Sequence, residues 1–201
     1  MTRYLGRRVG RAAGRHDDVY PDRAQAERRL TVVDDAASIA EVLEGIIDQP
    51  TGTSKVIVER GPVQHFADAV LSTSSIYHNP EVAQVAGFDN IPAPPTWPFA
   101  MEFSGRFDEL QTGAAVENPM GRAMGQLMAK GGLILHGEQE FVYHRPVLVG
   151  DVLVGEGKIA DAYQKESGGR TMTFIVTETE WSDDRSGEPV VTVRSNIIHR
   201  A

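Results

Sequence analysis

From residue 133 to its end the chain reads as one strand after another, and this stretch constrains the fold more than any other. The runs LILHGEQEFVYHRPV, GDVLVGEGKIADAYQ, RTMTFIVTETEWSD and PVVTVRSNIIH are parted by VGD, ESGG and DRSGE, where glycine, serine and aspartate supply turns. TMTFIVTETEW and the last run alternate apolar with polar residues, the two-residue period of a strand that is covered on one face and wet on the other. Four such strands predict an antiparallel meander with one buried face.

The front half has a helical pattern instead. In DDAASIAEVLEGIID, residues 34–48, Ile39, Val42, Leu43 and Ile46 fall at helical spacing behind an acidic start, and QPTGT stops the run. A short strand, KVIVE, begins at Lys55. Gly61 and Pro62 then open a helix whose apolar face is Val63, Phe66, Ala67, Val70 and Leu71. On it His65 and Asp68 stand three apart and can pair across the surface. Asn79 suits an N-cap, with Pro80 at the first helical position, and Val82, Val85 and Ala86 are expected to face inward before Gly87. The proline-rich IPAPPTW forms a stiff loop, and an apolar helix follows from about Thr96, burying Phe99, Met101 and Phe103. Helices in front of strands make this an α+β domain with helix against sheet.

With 201 residues, 41% of them apolar, the chain holds one core plus an extension. The division is set at residues 1–54, an N-terminal extension carrying the short amphipathic helix, and 55–201, the folded domain. No apolar run has the length of a membrane span, so a cytoplasmic protein without a membrane partner is expected. The absence of cysteine excludes disulfides and thiolate metal sites. The net charge is −8 although residues 1–30 hold eight arginines against four acids, so the remainder is more acidic still and unsuited to nucleic acid. His136 and His144 stand eight apart on one expected strand, on the same face but about 26 Å apart at ~3.3 Å per residue, which excludes a shared metal. No metal and no cofactor are expected.

FADAV, IYHNPEVAQVAGF, IPAPPTW and HRPVLVGDVLVGEGKI together resemble the MaoC-like hydratases and dehydratases of the hotdog fold, in their N-terminal, FAS1-like dehydratase type, over about Val56 to Ala201. The resemblance implies a long helix wrapped by a curved antiparallel sheet, dimers, and a tunnel for an acyl group carried as a thioester of CoA or of an acyl carrier protein. It also implies that active members use Asp-x-Asn-Pro-aliphatic-His, whose acid and imidazole hold the water that adds to, or leaves from, the double bond conjugated to the thioester. Here the acid's place falls on Ser72 and the histidine's on Tyr77, and neither titrates near neutrality. The place of the glycine N–H that meets the oxyanion falls on Pro95, which has none, leaving Thr96 as the donor.

The match is closer to the non-catalytic subunits of heterodimeric (3R)-hydroxyacyl-ACP dehydratases, in which a partner chain supplies the acid and the imidazole. No catalytic residue is then expected here, and Ile76, Tyr77, Pro94, Pro95, Thr96 and Trp97 are the expected substrate-binding residues. The implied partner is a catalytic MaoC-like hotdog subunit, with a homodimer as the other arrangement. Three alternatives stay open. His78 could act as the base of a self-sufficient hydratase; Glu102, on the helix after the proline loop, could serve a hotdog thioesterase; or the chain could bind acyl groups without catalysis.

Overall fold

A computed structural model describes residues 38–111 and 117–201. The arginine-rich head and the first residues of the run from Asp34 lie outside the described residues. The first helix, α1, is Ile39–Ile46, and its start is chemical: the Ser38 hydroxyl accepts from the Glu41 N–H while the Glu41 carboxylate accepts from the Ser38 N–H. Strand β1 spans Pro50–Ile57, beginning five residues before the expected Lys55. Both elements precede residue 55 in large part, yet they belong to the same compact unit as the sheet, Ala37–Ala201.

Helix α2 is Arg60–Ala69 and α3 is Pro80–Val85, the latter capped by the Asn79 side chain, which accepts from the N–H groups of Glu81 and Val82. The inward faces differ from expectation at their ends. Val70 and Leu71 lie past the end of α2 and are exposed, Leu71 in the left-handed region at φ 55°. In α3 the buried residue is Ala83, while Val82 and Val85 face outward, because so short a helix takes its face from how it docks. The helical run from Thr96 is broken: a 3₁₀ turn at Trp97–Phe99 carrying Pro98, then α4, Met101–Gly105. A side chain at Gly105 would collide with the Ile57 carbonyl oxygen, so α4 ends against β1. Met101 is buried, but Phe99 and Phe103 are exposed. The longest described helix is α5, Pro119–Ala129.

The strands are β2, Leu133–Tyr143; β3, Val152–Ser167; β4, Arg170–Asp183; and β5, Pro189–Arg200. They form one antiparallel sheet in the order β1-β3-β4-β5-β2. The expected meander holds for β3, β4 and β5 only. β2 pairs with β5 at the far edge, because the segment joining it to β3 contains Pro146 and is too long for a tight hairpin. One face is solvated and carries the row Lys158, Glu178, Arg194 and Glu140, alternating in charge across four paired strands, with Glu178 bridging Lys158 at 3.3 Å and Arg194 at 3.2 Å.

The other face meets the helices in two apolar clusters. One joins Val56, Val63, Trp97, Met101, Leu153 and Trp181. The second joins Leu43 and Ile46 of α1 with Ala123 and Leu127 of α5 and Ile159 and Ile175 of the sheet. Helix α1 therefore packs on its own chain.

Candidate active-site cleft

The proline loop is held in place by strand-like pairing. Asn90 donates its amide to the Val149 carbonyl (2.8 Å), Val149 N–H donates to the Ile91 carbonyl (2.8 Å), and Ala93 N–H donates to the Val147 carbonyl (2.8 Å). Opposite stands the 3₁₀ turn Ser75–Tyr77. The backbone carbonyl of His78, just past it, accepts from Arg60 (3.0 Å) and from Gln64 (3.1 Å), which ties the turn to α2. Between turn and loop lies a mainly apolar cleft of about 420 Å³, whose walls include Ile76, Tyr77, Phe88, Pro92, Pro95 and Tyr143.

Three of the expected binding residues, Ile76, Tyr77 and Pro95, thus meet in one cleft. Pro94 and Trp97 are buried outside the lining; Trp97 belongs to the core and is 1% exposed. Thr96 is exposed at the foot of the 3₁₀ turn, outside the lining. Ser72 is half-buried and turned into its own loop, where its hydroxyl accepts from the Ser74 N–H at 3.4 Å. His78 is outside the cleft lining and meets Asp68, with Nε2 3.8 Å from Oδ1, so Asp68 pairs with His78 rather than with His65. Glu102 is exposed on α4, at a different cavity.

Tyr143 is the site residue that strand patterning alone did not pick out. Its hydroxyl donates to the Pro95 carbonyl at 2.7 Å, locking the end of β2 to the proline loop. Burial, aided by neighbouring Tyr77, pushes its pKa up to about 12, so it remains a neutral donor throughout the physiological range. It was hidden by a β-bulge. β2 shifts register between His136 and Gln139, so His136 pairs with Ile197 and Tyr143 with Val191. The extra residue flips the alternation: His136 and Tyr143 share the helix-bearing face, and His144 falls on the other, its Nε2 3.3 Å from the Thr192 hydroxyl. The expectation of one shared face for His136 and His144 is therefore corrected. On the helix-bearing side Phe99 meets His136 edge to face at 5.2 Å.

Among the described lining residues the cation is Arg145, already engaged. Arg145 binds Asp151 at 2.7 Å and Asp183 at 3.2 Å. Burial lowers its pKa, but the two carboxylates outweigh that and raise it overall. Asp183 is held below the usual carboxylate range, chiefly by the Ser186 N–H working against burial, with the Arg185 N–H, the Ser186 hydroxyl and Arg145 adding to it. Among the described residues lining the cleft none is a carboxylate, and the one imidazole is His144. The cleft can thus hold and orient an apolar group, and it lacks the acid and imidazole pair that would move a proton to or from water.

Comparison with known proteins gives this arrangement a family. A profile described as "FAS1-like, dehydratase domain region" matches residues 46–193. A "UPF0336 protein" of Streptomyces avermitilis is 32% identical over 144 residues, 72% of this chain and 85% of the relative. One of Saccharopolyspora erythraea is 32% identical over 143 residues, 71% of this chain and 81% of the relative. Among solved structures, the ChsH1-ChsH2 complex from Mycobacterium tuberculosis aligns with a TM-score of 0.65 at 21% identity, covering 80% of this chain and 90% of that chain. The truncated HadBC (3R-hydroxyacyl-ACP dehydratase) complex from the same organism aligns at 0.52 and 22% identity, covering 76% and 96%. At these identities the structures speak for the fold, and the family match rests on the sequence. The chain belongs to the FAS1-like dehydratase region family, and its fold is the hotdog fold of the MaoC-like dehydratases.

Proposed function

We propose that this chain is a subunit of an enoyl-thioester hydratase or 3-hydroxyacyl-thioester dehydratase that shapes the acyl site while a partner hotdog subunit supplies the acid and histidine. The observation that carries the reading is the cleft: Ile76, Tyr77 and Pro95 are assembled around an apolar space, yet among the described residues no carboxylate lines it. Ser72, at the acid's place, is turned into its own loop. A wall without a proton relay suits a subunit that positions the acyl thioester, of CoA or of acyl carrier protein, for chemistry done by another chain. That two similar folds occur in complexes, ChsH1-ChsH2 and HadBC, is in keeping with a heteromeric partner.

A second reading has one observation in its favour. Asp68 and His78 are an acid and an imidazole 3.8 Å apart on this same chain, the pair a self-sufficient hydratase needs. Neither belongs to the cleft lining, and so they rank second.

Hydration of crotonyl-CoA and longer enoyl-CoA substrates by the purified chain, alone and with a hotdog subunit bearing Asp-x-Asn-Pro-x-His, separates the two. The first reading expects turnover only in the mixture and no effect of His78→Ala on it. Turnover by the chain alone that His78→Ala abolishes would replace it with the second.

A further inference from the structure

The helix-bearing face of the sheet is interrupted midway along. Between its two apolar clusters, β3 carries Gly155 and Gly157, and β4 carries Thr177 and Thr179 in place of large residues. Beside them lies a chamber of about 480 Å³, distinct from the cleft in its lining, bounded on the helical side by Glu102, Phe103 and Arg106 and by Asn118 and Met120 at the start of α5. Gly157 is what leaves it open. A side chain there would collide with the Thr51 hydroxyl, and its first carbon would stand 3.3 Å from the Thr179 hydroxyl. Two hydroxyls therefore converge over bare backbone, and a glycine within a strand is a position at which another group can approach closely.

The mouth differs from the floor. Phe103 is 86% exposed there, an apolar surface, while Glu102 and Arg106 share the rim. Hydroxyls both donate and accept, so the pair at the floor can satisfy a neutral alcohol or a ketone. An alkyl end placed there would strip water from both without replacing its hydrogen bonds.

We propose that this chamber is a second binding site and that it takes the oxygen-bearing end of a hydrocarbon ligand, its hydroxyl or keto oxygen held between Thr51 and Thr179 and its carbon chain covered by Phe103. The proposal rests on the acyl-binding reading only in expecting an acyl chain, and deepens it by naming what the far end of that chain carries. Site-selectivity of this kind follows from polar groups that only one ligand satisfies.

The test is calorimetric titration of the full chain with dodecanoate and with 12-hydroxydodecanoate. The hydroxy acid is expected to bind at least tenfold more tightly, and Thr179→Val, which keeps the shape and removes the hydroxyl, is expected to bring the two within about twofold. Gly157→Val should block the space between the two hydroxyls and remove the preference as well; if that variant fails to fold, Thr179→Val still decides. Equal or weaker binding of the hydroxy acid, a preference that survives Thr179→Val, or no binding of either acid overturns the proposal. Partner-dependent hydration combined with any of these refutes the chamber alone, and a hydroxyl preference without such hydration refutes the subunit role alone.

Discussion

At the scale of single residues, the cleft depends on how Tyr143 is held. Tyr143→Phe removes one hydrogen bond between β2 and the Pro95 loop and should lower stability by about 0.5–1.5 kcal/mol in urea unfolding. Its titration adds a pH signature. The folded group keeps its proton to about pH 12, whereas an unfolded tyrosine loses it near 10. Between those values the unfolded chain binds fewer protons, so this residue's contribution is fully present below pH 10 and is lost as pH rises toward 12. Urea midpoints at pH 9 and pH 11 should therefore converge when wild type and Tyr143→Phe are compared, the difference shrinking at the higher pH. The place of Tyr77 and Pro95 in the cleft was legible because motif spacing and loop stiffness are local properties. Tyr143 was not, since its face depends on a bulge, and a bulge is decided by pairing with β5 rather than by the residues of β2 alone.

At the scale of elements, α1 shows which part of a helix is written locally. The serine and glutamate three apart define its start, and Val42, Leu43 and Ile46 define its inner face, as the spacing predicted. Ser38→Ala should cost about 0.5–2 kcal/mol through the lost cap. Ile46→Ala, at a fully buried position against α5 and the sheet, should cost about 2–5 kcal/mol through the cavity it leaves, and thermal unfolding of the two variants should rank them in that order. The inner faces of α3 and the broken run after Thr96 escaped the sequence for the opposite reason: in helices of five or six residues, docking overrides periodicity. The strands after residue 133 were legible as strands, and the short turns gave β3, β4 and β5 as neighbours, but the place of β2 was not legible, because alternation fixes the two faces of a strand and says nothing about which strand lies beside it.

At the scale of the molecule, β2 is an outer strand with one neighbour and an apolar surface. Leu133, Ile134, Leu135 and Val142 are each more than a third exposed, and the strand's outward backbone groups have no partner strand among the described residues. Such an edge invites pairing with another chain. Leu135→Lys should leave far-ultraviolet circular dichroism unchanged while reducing the assembled mass, seen by size-exclusion chromatography with light scattering, either of the chain alone or of its mixture with a catalytic hotdog subunit. An unchanged mass in both samples would mean that the edge is not the contact.

The irregularity in β2 works as a frameshift in three dimensions. Gly137 sits within it, and a side chain there would press on Ile198. Removing that one residue would restore strict alternation and still leave Tyr143 on the face of His136, opposite Val191, whereas keeping it and flattening the bulge would send the phenol to the wet side of the sheet. The bulge and the extra residue therefore belong together: a sequence one residue shorter here, paired without a bulge, presents the same face to the cleft, and a sequence of this length depends on the bulge to do so.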